Sequence, residues 1–391
     1  MPTRSTDILT LLANKQADFA GFDQATLGLL QKYRKALKQF GELDFLDSSA
    51  EPAAIDALPL SEAVPVLLEP VKLADPGRVA FAQTWRNREE SYDWVRQHLT
   101  GVATFAVDGS QIYPSKDISI PVALIQVGWF ENLHRPQGTY DKDIQLDLMT
   151  PADLKDLRGD VADRRVNMRR FQMETERLVE YIEDHSGDEE CLVFLDGSLV
   201  ATFAEAFDQE TQLFYVDCLR RLLQASEDCR VPLVGYIDTS YAHDLTGLLQ
   251  RGFDLPQVTS LHDAQVCHAG MQWGDRTPLL RCQRDVLNKF YGAFKHRITY
   301  TYLKTNDGYP ARLELPLWIH EAGRLEQVLN WVRGEVVIGG GYPYAIETAD
   351  QVAVLTMEDR NAFYRLLQDW SEREGLKLRL SRKMISKVRR R

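Results

Sequence analysis

Phe105-Ala106-Val107-Asp108-Gly109-Ser110 and Leu192-Val193-Phe194-Leu195-Asp196-Gly197-Ser198 decide how this chain folds. Each is a short apolar run of the kind that fills a buried strand, and each closes on the same Asp-Gly-Ser. A strand that ends on a carboxylate and turns away through glycine and serine holds that carboxylate at the rim of a sheet. Two such carboxylates brought together by folding make a site for a hard divalent cation. The competing reading is that Asp-Gly simply blunts strand ends, and its recurrence in one strand context weakens that reading.

Working outward, apolar residues at three- and four-residue steps (Ile8, Leu11, Leu12, then Leu27, Leu30, Tyr33, Leu37 and Phe40) predict a helical arm from Asp7 to about Leu43. Residues 48–77, rich in proline, alanine and acids, read as a linker, with a helix expected over 79–99. The first Asp-Gly-Ser strand is expected to end at Asp108, followed by a strand over 118–130 and an irregular stretch around Pro136 and Gly138. A long helix is expected from Pro151 through Asp184, ahead of the second Asp-Gly-Ser strand. Beyond it come a helix at about 204–224, a strand at 233–237, helices at about 242–250 and 261–271, and strands near 298–303 and 312–315. Val336-Val337-Ile338 reads as a strand running into three glycines. This mixture predicts an α/β protein: a mixed sheet with flanking helices and an N-terminal helical arm.

At 391 residues, 44% hydrophobic and 26% charged, the chain has room for one to three domains. Its five cysteines are odd in number and form no CxxC pair, so neither a disulfide framework nor a zinc ribbon is expected. The N-terminus lacks a secretory pattern and no run approaches about 18 apolar residues, so the expected setting is the cytoplasm with no membrane contact. A net charge of −11 argues against a protein that coats nucleic acid over its whole surface. Yet the segment from Lys377 to Arg391 holds eight basic residues and no acid, which suits either a solvated end or an arm for phosphate backbone.

Helical geometry ranks further ligands. With Phe171 at zero and ~100° per residue, Leu178, Ile182, Thr175 and Met168 form the inward stripe and Glu174 lies on its border. Glu176, Glu180 and Glu183 face water. Glu174 either looks into the site or pairs with Arg170 one turn earlier. In the C-terminal region, Ile346, Ala349, Ala353 and Met357 share a helix face, and Asp350 falls inside that apolar arc. A carboxylate buried there must bind a metal or pair with a base. Thr356-Met357-Glu358-Asp359 has the character of a capping box opening a new helix. The triple glycine lacks GxGxxG spacing and no GxxxxGK[ST] occurs, so NTP hydrolysis is not expected. His262, Cys267 and His268 lack a second cluster to complete a zinc set. Oxygen-only ligands favour Mn²⁺ or Mg²⁺, which can activate water and stabilise the leaving oxygen of a phosphodiester.

In their succession these elements resemble the NurA family of nucleases: Val107 to Gln111 (VDGSQ), RRFQME ending at Glu174, Phe194 to Leu199 (FLDGSL) and YPYAIETAD ending at Asp350. Gly235 to Ser240, His262-Asp263-Ala264, Gly274-Asp275-Arg276-Thr277 and Arg312 to Pro316 resemble further family segments. The resemblance implies an RNase H-like core, with Asp108, Glu174, Asp196 and Asp350 as catalytic metal ligands. Asp350 stands where the family often has histidine, and Asp275 where it usually has glutamate. Also implied are Mn²⁺ or Mg²⁺ as cofactor, DNA as substrate, exonuclease and single-strand endonuclease activity in end processing and repair, a homodimer, and a HerA-type hexameric ATPase as partner. The implied layout is an arm and linker over 1–75, the nuclease domain over 76–375 and a basic tail over 376–391. The alternative is a catalytically weak DNA-binding or motor-adaptor subunit of the same fold.

Overall fold

The computed structural model describes residues 4–42, 66–69, 77–154, 163–379 and 381, and the chain divides into two compact units. Unit 1 comprises residues 1–83, 237–285 and 299–313, and unit 2 comprises 84–236, 286–298 and 314–391. Among the described residues the strands are β1 (Val66–Leu67), β2 (Ala103–Ile112), β3 (Ala123–Asn132), β4 (Tyr140–Met149), β5 (Cys191–Asp196), β6 (Leu233–Ile237), β7 (Leu280–Arg281), β8 (Ile298–Leu303) and β9 (Ala311–Pro316).

Unit 2 is built on the order β4-β3-β2-β5-β6. β3 runs antiparallel to both β2 and β4, while β5 runs parallel to β2 and to β6. Three antiparallel strands continued by two parallel ones, with the first strand central, is the RNase H-like arrangement of a mixed α/β sheet. The β5 run from Cys191 to Leu195 is at most 3% exposed, as a strand covered on both faces requires. The Asp163–Asp184 helix covers one stretch of β2, and its buried side includes Thr175, Leu178 and Ile182 as the wheel anticipates.

Unit 1 carries the helices Ser5–Asn14 and Gln16–Glu42, which form the expected arm, together with β1, β7 and most of β8. Its interior holds a charge network in which Asp244 accepts from both Arg284 and Arg312. Asp263 accepts the backbone N–H groups of Leu245 and Thr246 at 2.9 and 2.7 Å, closing the start of the Asp244–Gly252 helix.

The structure departs from the sequence expectations at several points. The first Asp-Gly-Ser does not end its strand, because β2 runs through it to Ile112. The helix expected from Val79 begins at Arg88, where the Asn87 side chain accepts from Glu90 N–H; upstream, Val79 is instead bridged to Arg276. The 151–184 helix is a short turn, Pro151–Leu154, and then Asp163–Asp184. The 261–271 helix shrinks to Asp263–Cys267. Val336-Val337-Ile338 ends the Leu325–Ile338 helix rather than forming a strand. Its glycines stop the helix: a Cβ on Gly339 would stand 2.0 Å from the Tyr342 carbonyl oxygen. The stretch expected to be irregular contains β4, whose residues are exposed on both faces from Tyr140 to Gln145. The capping box at Thr356 is present as expected.

One buried acid ties unit 2 together. Glu335, fully buried, accepts from Thr104 Oγ1 on β2 at 2.9 Å and from the Ala345 N–H at 2.8 Å, and His134 Nε2 lies 2.9 Å away. Burial alone would lower the His134 pKa, but the Glu335 carboxylate outweighs it and raises the value above the ordinary 6.5. A raised histidine pKa adds stability that is complete below about 6.5 and is lost as pH rises through the folded-state value. The melting temperature of His134→Gln should therefore fall short of wild type by more at pH 6 than at pH 9. An equal deficit at both would show that His134 acts there only as a neutral donor.

Candidate metal-binding carboxylate centre

Asp108 lies on β2 and Asp196 at the end of β5, and the parallel register sets Val107 opposite Leu195, so the two carboxylates leave the sheet at one level. The identical tripeptides then serve different ends. At the second copy, Gly197 has φ +143°, a turn that side chains rarely adopt, and it lets the chain leave the sheet. Ser198 Oγ and the Leu199 N–H both donate to Glu314 on β9, at 2.7 and 2.8 Å, and Tyr291 braces the same loop by accepting from Ala201 N–H. At the first copy the glycine is needed for space. A Cβ on Gly109 would stand 2.4 Å from Glu174 Oε1 and 2.8 Å from Arg170 Cγ, so the long helix lays these side chains directly across β2.

Glu174 is accordingly 8% exposed and turned toward the aspartates. Glu174 does both things the sequence left open, turning toward the site while meeting Arg170. Arg170 Nη1 donates to the Gly109 carbonyl at 2.8 Å and lies 3.0 Å from Glu174 Oε1, a charge contact without hydrogen-bond geometry that leaves this oxygen without a donor. Burial pushes the Glu174 pKa up to about 8; Arg170 pulls it down, and the charges of Asp108 and Asp196 push it further up. Asp108 is raised to about 6, first by burial, opposed by the Gly109 N–H, and then by a carboxyl hydrogen bond with Asp350 and the charges of Asp196 and Asp350. These interactions place all four predicted carboxyls in one neighbourhood.

Asp350 arrives on the Tyr344–Ala353 helix, and the expectation that it is buried is incorrect: it is exposed. The helix packs its Ala345, Ile346, Ala349 and Ala353 face inward, leaving Asp350 at the edge of that face beside Asp108 rather than beneath it. Three residues dock the end of this helix. Ser110 Oγ donates to the Ala353 carbonyl and accepts from Leu355 N–H, and Gln126 Nε2 donates to the same carbonyl at 3.0 Å. Gly128, paired with Asp108 across β2 and β3, lets the helix backbone approach, for a Cβ there would stand 2.7 Å from the Ala353 nitrogen. Tyr342 donates to Asp196 Oδ1 at 3.0 Å and packs edge-on against Tyr236. Sequence reasoning missed Tyr342, Ser110 and Gln126 in these roles; it named Arg170 as the i, i+4 partner of Glu174 but not as a donor to Gly109.

Among the described residues, no three His, Cys, Asp or Glu side chains already stand at metal-ligand spacing. The donor set still suits a hard cation. It is all oxygen, it contains a buried carboxylate oxygen with no hydrogen-bond donor, and its members repel one another in the absence of a counterion. Glu176 is held apart by Gln172 and Arg169. Glu174→Gln should thus weaken Mn²⁺ binding by about tenfold or more in calorimetric titration, an effect on the scale of losing one ligand. Glu176→Gln should leave it unchanged, and the reverse pattern would exclude Glu174 as a ligand.

A family model described as the NurA domain matches residues 102–355, which include all four carboxyls. No curated protein matches the chain. Among solved structures, the crystal structure of the catalytic domain of human endonuclease V is similar at 14% identity over 72% of this chain and 95% of that chain. Its TM-score is 0.33, a likeness too loose to bear on the chemistry here.

Proposed function

The chain belongs to the NurA family, and from that premise we propose that this nuclease is a Mn²⁺- or Mg²⁺-dependent deoxyribonuclease that hydrolyses phosphodiesters at the carboxylate centre. The observation that carries the proposal is the convergence of Asp108, Glu174, Asp196 and Asp350, from four separate elements, into one repelling all-oxygen set. A divalent cation bound there supplies a water of lowered pKa and stabilises the leaving oxygen. The protein's own part is to hold the ligands. Asp108 and Asp196 are fixed at one level by strand register, Arg170 steadies Gly109 and Glu174, Tyr342 orients Asp196, and Ser110 and Gln126 seat the helix that bears Asp350.

Following the family, we further read the protein as a cytoplasmic homodimer acting with a HerA-type hexameric ATPase in DNA end processing, as exonuclease and single-strand endonuclease. No described helix is long and apolar enough to cross a membrane. The division into an arm and linker, a nuclease domain and a basic tail remains part of this proposal.

Incubating the purified protein with labelled single- and double-stranded DNA in Mn²⁺, Mg²⁺ or EDTA tests the central claim. Metal-dependent cleavage that EDTA abolishes is expected. Binding without cleavage in either metal would favour the catalytically weak adaptor. Most of the basic tail lies outside the described residues; its root does not. There the Ser119 N–H donates to the Arg379 carbonyl and the Ser381 N–H to the Asp117 carbonyl, at 3.0 and 2.7 Å. Truncation after Ser381 should weaken DNA binding irrespective of sequence and flatten its salt dependence by about 0.9 in log–log slope for each duplex phosphate the tail had neutralised. An unchanged slope would make the tail a solvated end or a docking arm.

A further inference from the structure

Unit 1 gathers cations that the carboxylate centre does not use. Lys304, just after β8, is only 6% exposed. Its ammonium donates to the Gly308 carbonyl and lies 3.0 Å from His268 Nδ1, and among the described residues no salt bridge to a carboxylate holds it. Asp307, exposed on the same loop, is the carboxylate whose charge reaches it. Arg34, on the Gln16–Glu42 helix, extends to the Gln265 carbonyl at 3.4 Å, one turn before His268, and its Nε is buried without an acceptor. Burial holds the His268 pKa below its ordinary value, and the charges of Lys304 and Arg34 lower it further, so both cations are felt at the His268 ring. Beside them Tyr309 is 52% exposed and stands edge-on to the His268 ring, 5.4 Å between centroids.

The Gly308 contact accounts for Lys304 as a clamp on the β8–β9 loop, but not for a second cation, Arg34, that reaches the same His268 turn with an unused donor. A buried ammonium is costly unless an anion compensates. The anion that suits a guanidinium fork, an imidazole and an ammonium together is a phosphate group. An exposed aromatic beside such a group offers a face for stacking a base.

We propose that Arg34, His268 and Lys304 form a phosphate subsite that grips one backbone phosphate of the nucleic-acid strand, with Tyr309 against the neighbouring base. The inference rests on the nuclease reading and adds to it a grip in unit 1. Such a grip positions the strand without reading its sequence.

The test uses the full-length protein in EDTA with a fluorescently labelled oligothymidylate, followed by anisotropy over a salt series. Lys304→Gln can disturb the loop, so Arg34→Gln and Tyr309→Ala carry the test. Arg34→Gln should bind roughly fivefold more weakly at 0.1 M salt, with a log–log salt slope shallower by about 0.7, the value for one single-strand phosphate. Tyr309→Ala should weaken binding with the slope unchanged. Mn²⁺-dependent hydrolysis of bis(p-nitrophenyl) phosphate should be as in wild type for both, because the carboxylates belong to unit 2. Wild-type affinity and slope in Arg34→Gln would overturn the subsite. Inorganic phosphate that raises the melting temperature of wild type but not of Arg34→Gln, with oligonucleotide binding equal in both, would overturn the backbone assignment and leave a small-anion pocket. If wild type neither binds nor cleaves DNA, the nuclease reading falls, and equal phosphate responses in the two proteins would then remove the subsite as well.

Discussion

Asp108→Asn and Asp196→Asn should each lower metal-dependent DNA cleavage by about a thousandfold or more, ~4 kcal/mol at the transition state, without unfolding the protein. Both changes can keep the contacts described above. An asparagine at 196 keeps the oxygen that accepts from Tyr342, and an asparagine at 108 offers Asp350 an amide donor in place of a shared proton. For Asp108 the metal-free stability should even rise at pH 8. Burial lifts its folded-state pKa to about 6, so ionisation destabilises the fold as pH climbs from the ordinary carboxylate range through that value. Single-turnover cleavage and a melting curve in EDTA measure the two halves. Wild-type cleavage by either variant would remove the carboxylate centre as the active site, and a large drop in melting temperature would make the residues structural.

Gly128→Ala should cost about 1–3 kcal/mol of stability and weaken Mn²⁺ binding at the same time. Its Cβ would meet backbone, the Ala353 nitrogen at 2.7 Å and the Val352 carbonyl carbon at 2.9 Å, so the helix itself must retreat, and Asp350 retreats with it. Gly138→Ala is the control, since nothing lies within 4 Å of the site of its Cβ, although its φ of +68° brings a small strain of its own. Chemical denaturation and metal titration of the same samples would show whether the two effects travel together. Reduced stability with unchanged metal affinity would mean that Asp350 is not a ligand.

Both strands that carry the aspartates were legible because a doubly covered strand leaves an unbroken apolar run that only a few residues can end. Glu174 was legible because a helix of known pitch has one border between its wet and dry sides. β4 escaped notice since its acids and its apolar residues alternate while both faces meet solvent, and alternation signals a strand chiefly when one face is buried. The triple glycine misled for a related reason: Val-Val-Ile before glycine reads as a strand end, although the preceding turns made it the close of a helix. Asp350 shows the limit of a helical wheel, which fixes the side of a helix but not how far along it the neighbouring sheet extends. Nothing local in the sequence announces that Gly109 makes way for a glutamate or Gly128 for a helix backbone, for each need is set by a segment tens to hundreds of residues away.

Glu335 has a bearing on how such sequences can drift. One carboxylate there meets Thr104, His134 and the Ala345 N–H, so a chain without it would strand a hydroxyl, an imidazole and a peptide donor in the same dry interior. Single replacements at 335 should be rare among natural relatives, and where the acid is gone, positions 104 and 134 should have changed in concert toward apolar residues. The three positions then form one heritable unit, and the four carboxylates of the proposed centre take part of their placement from a fifth that stands outside it.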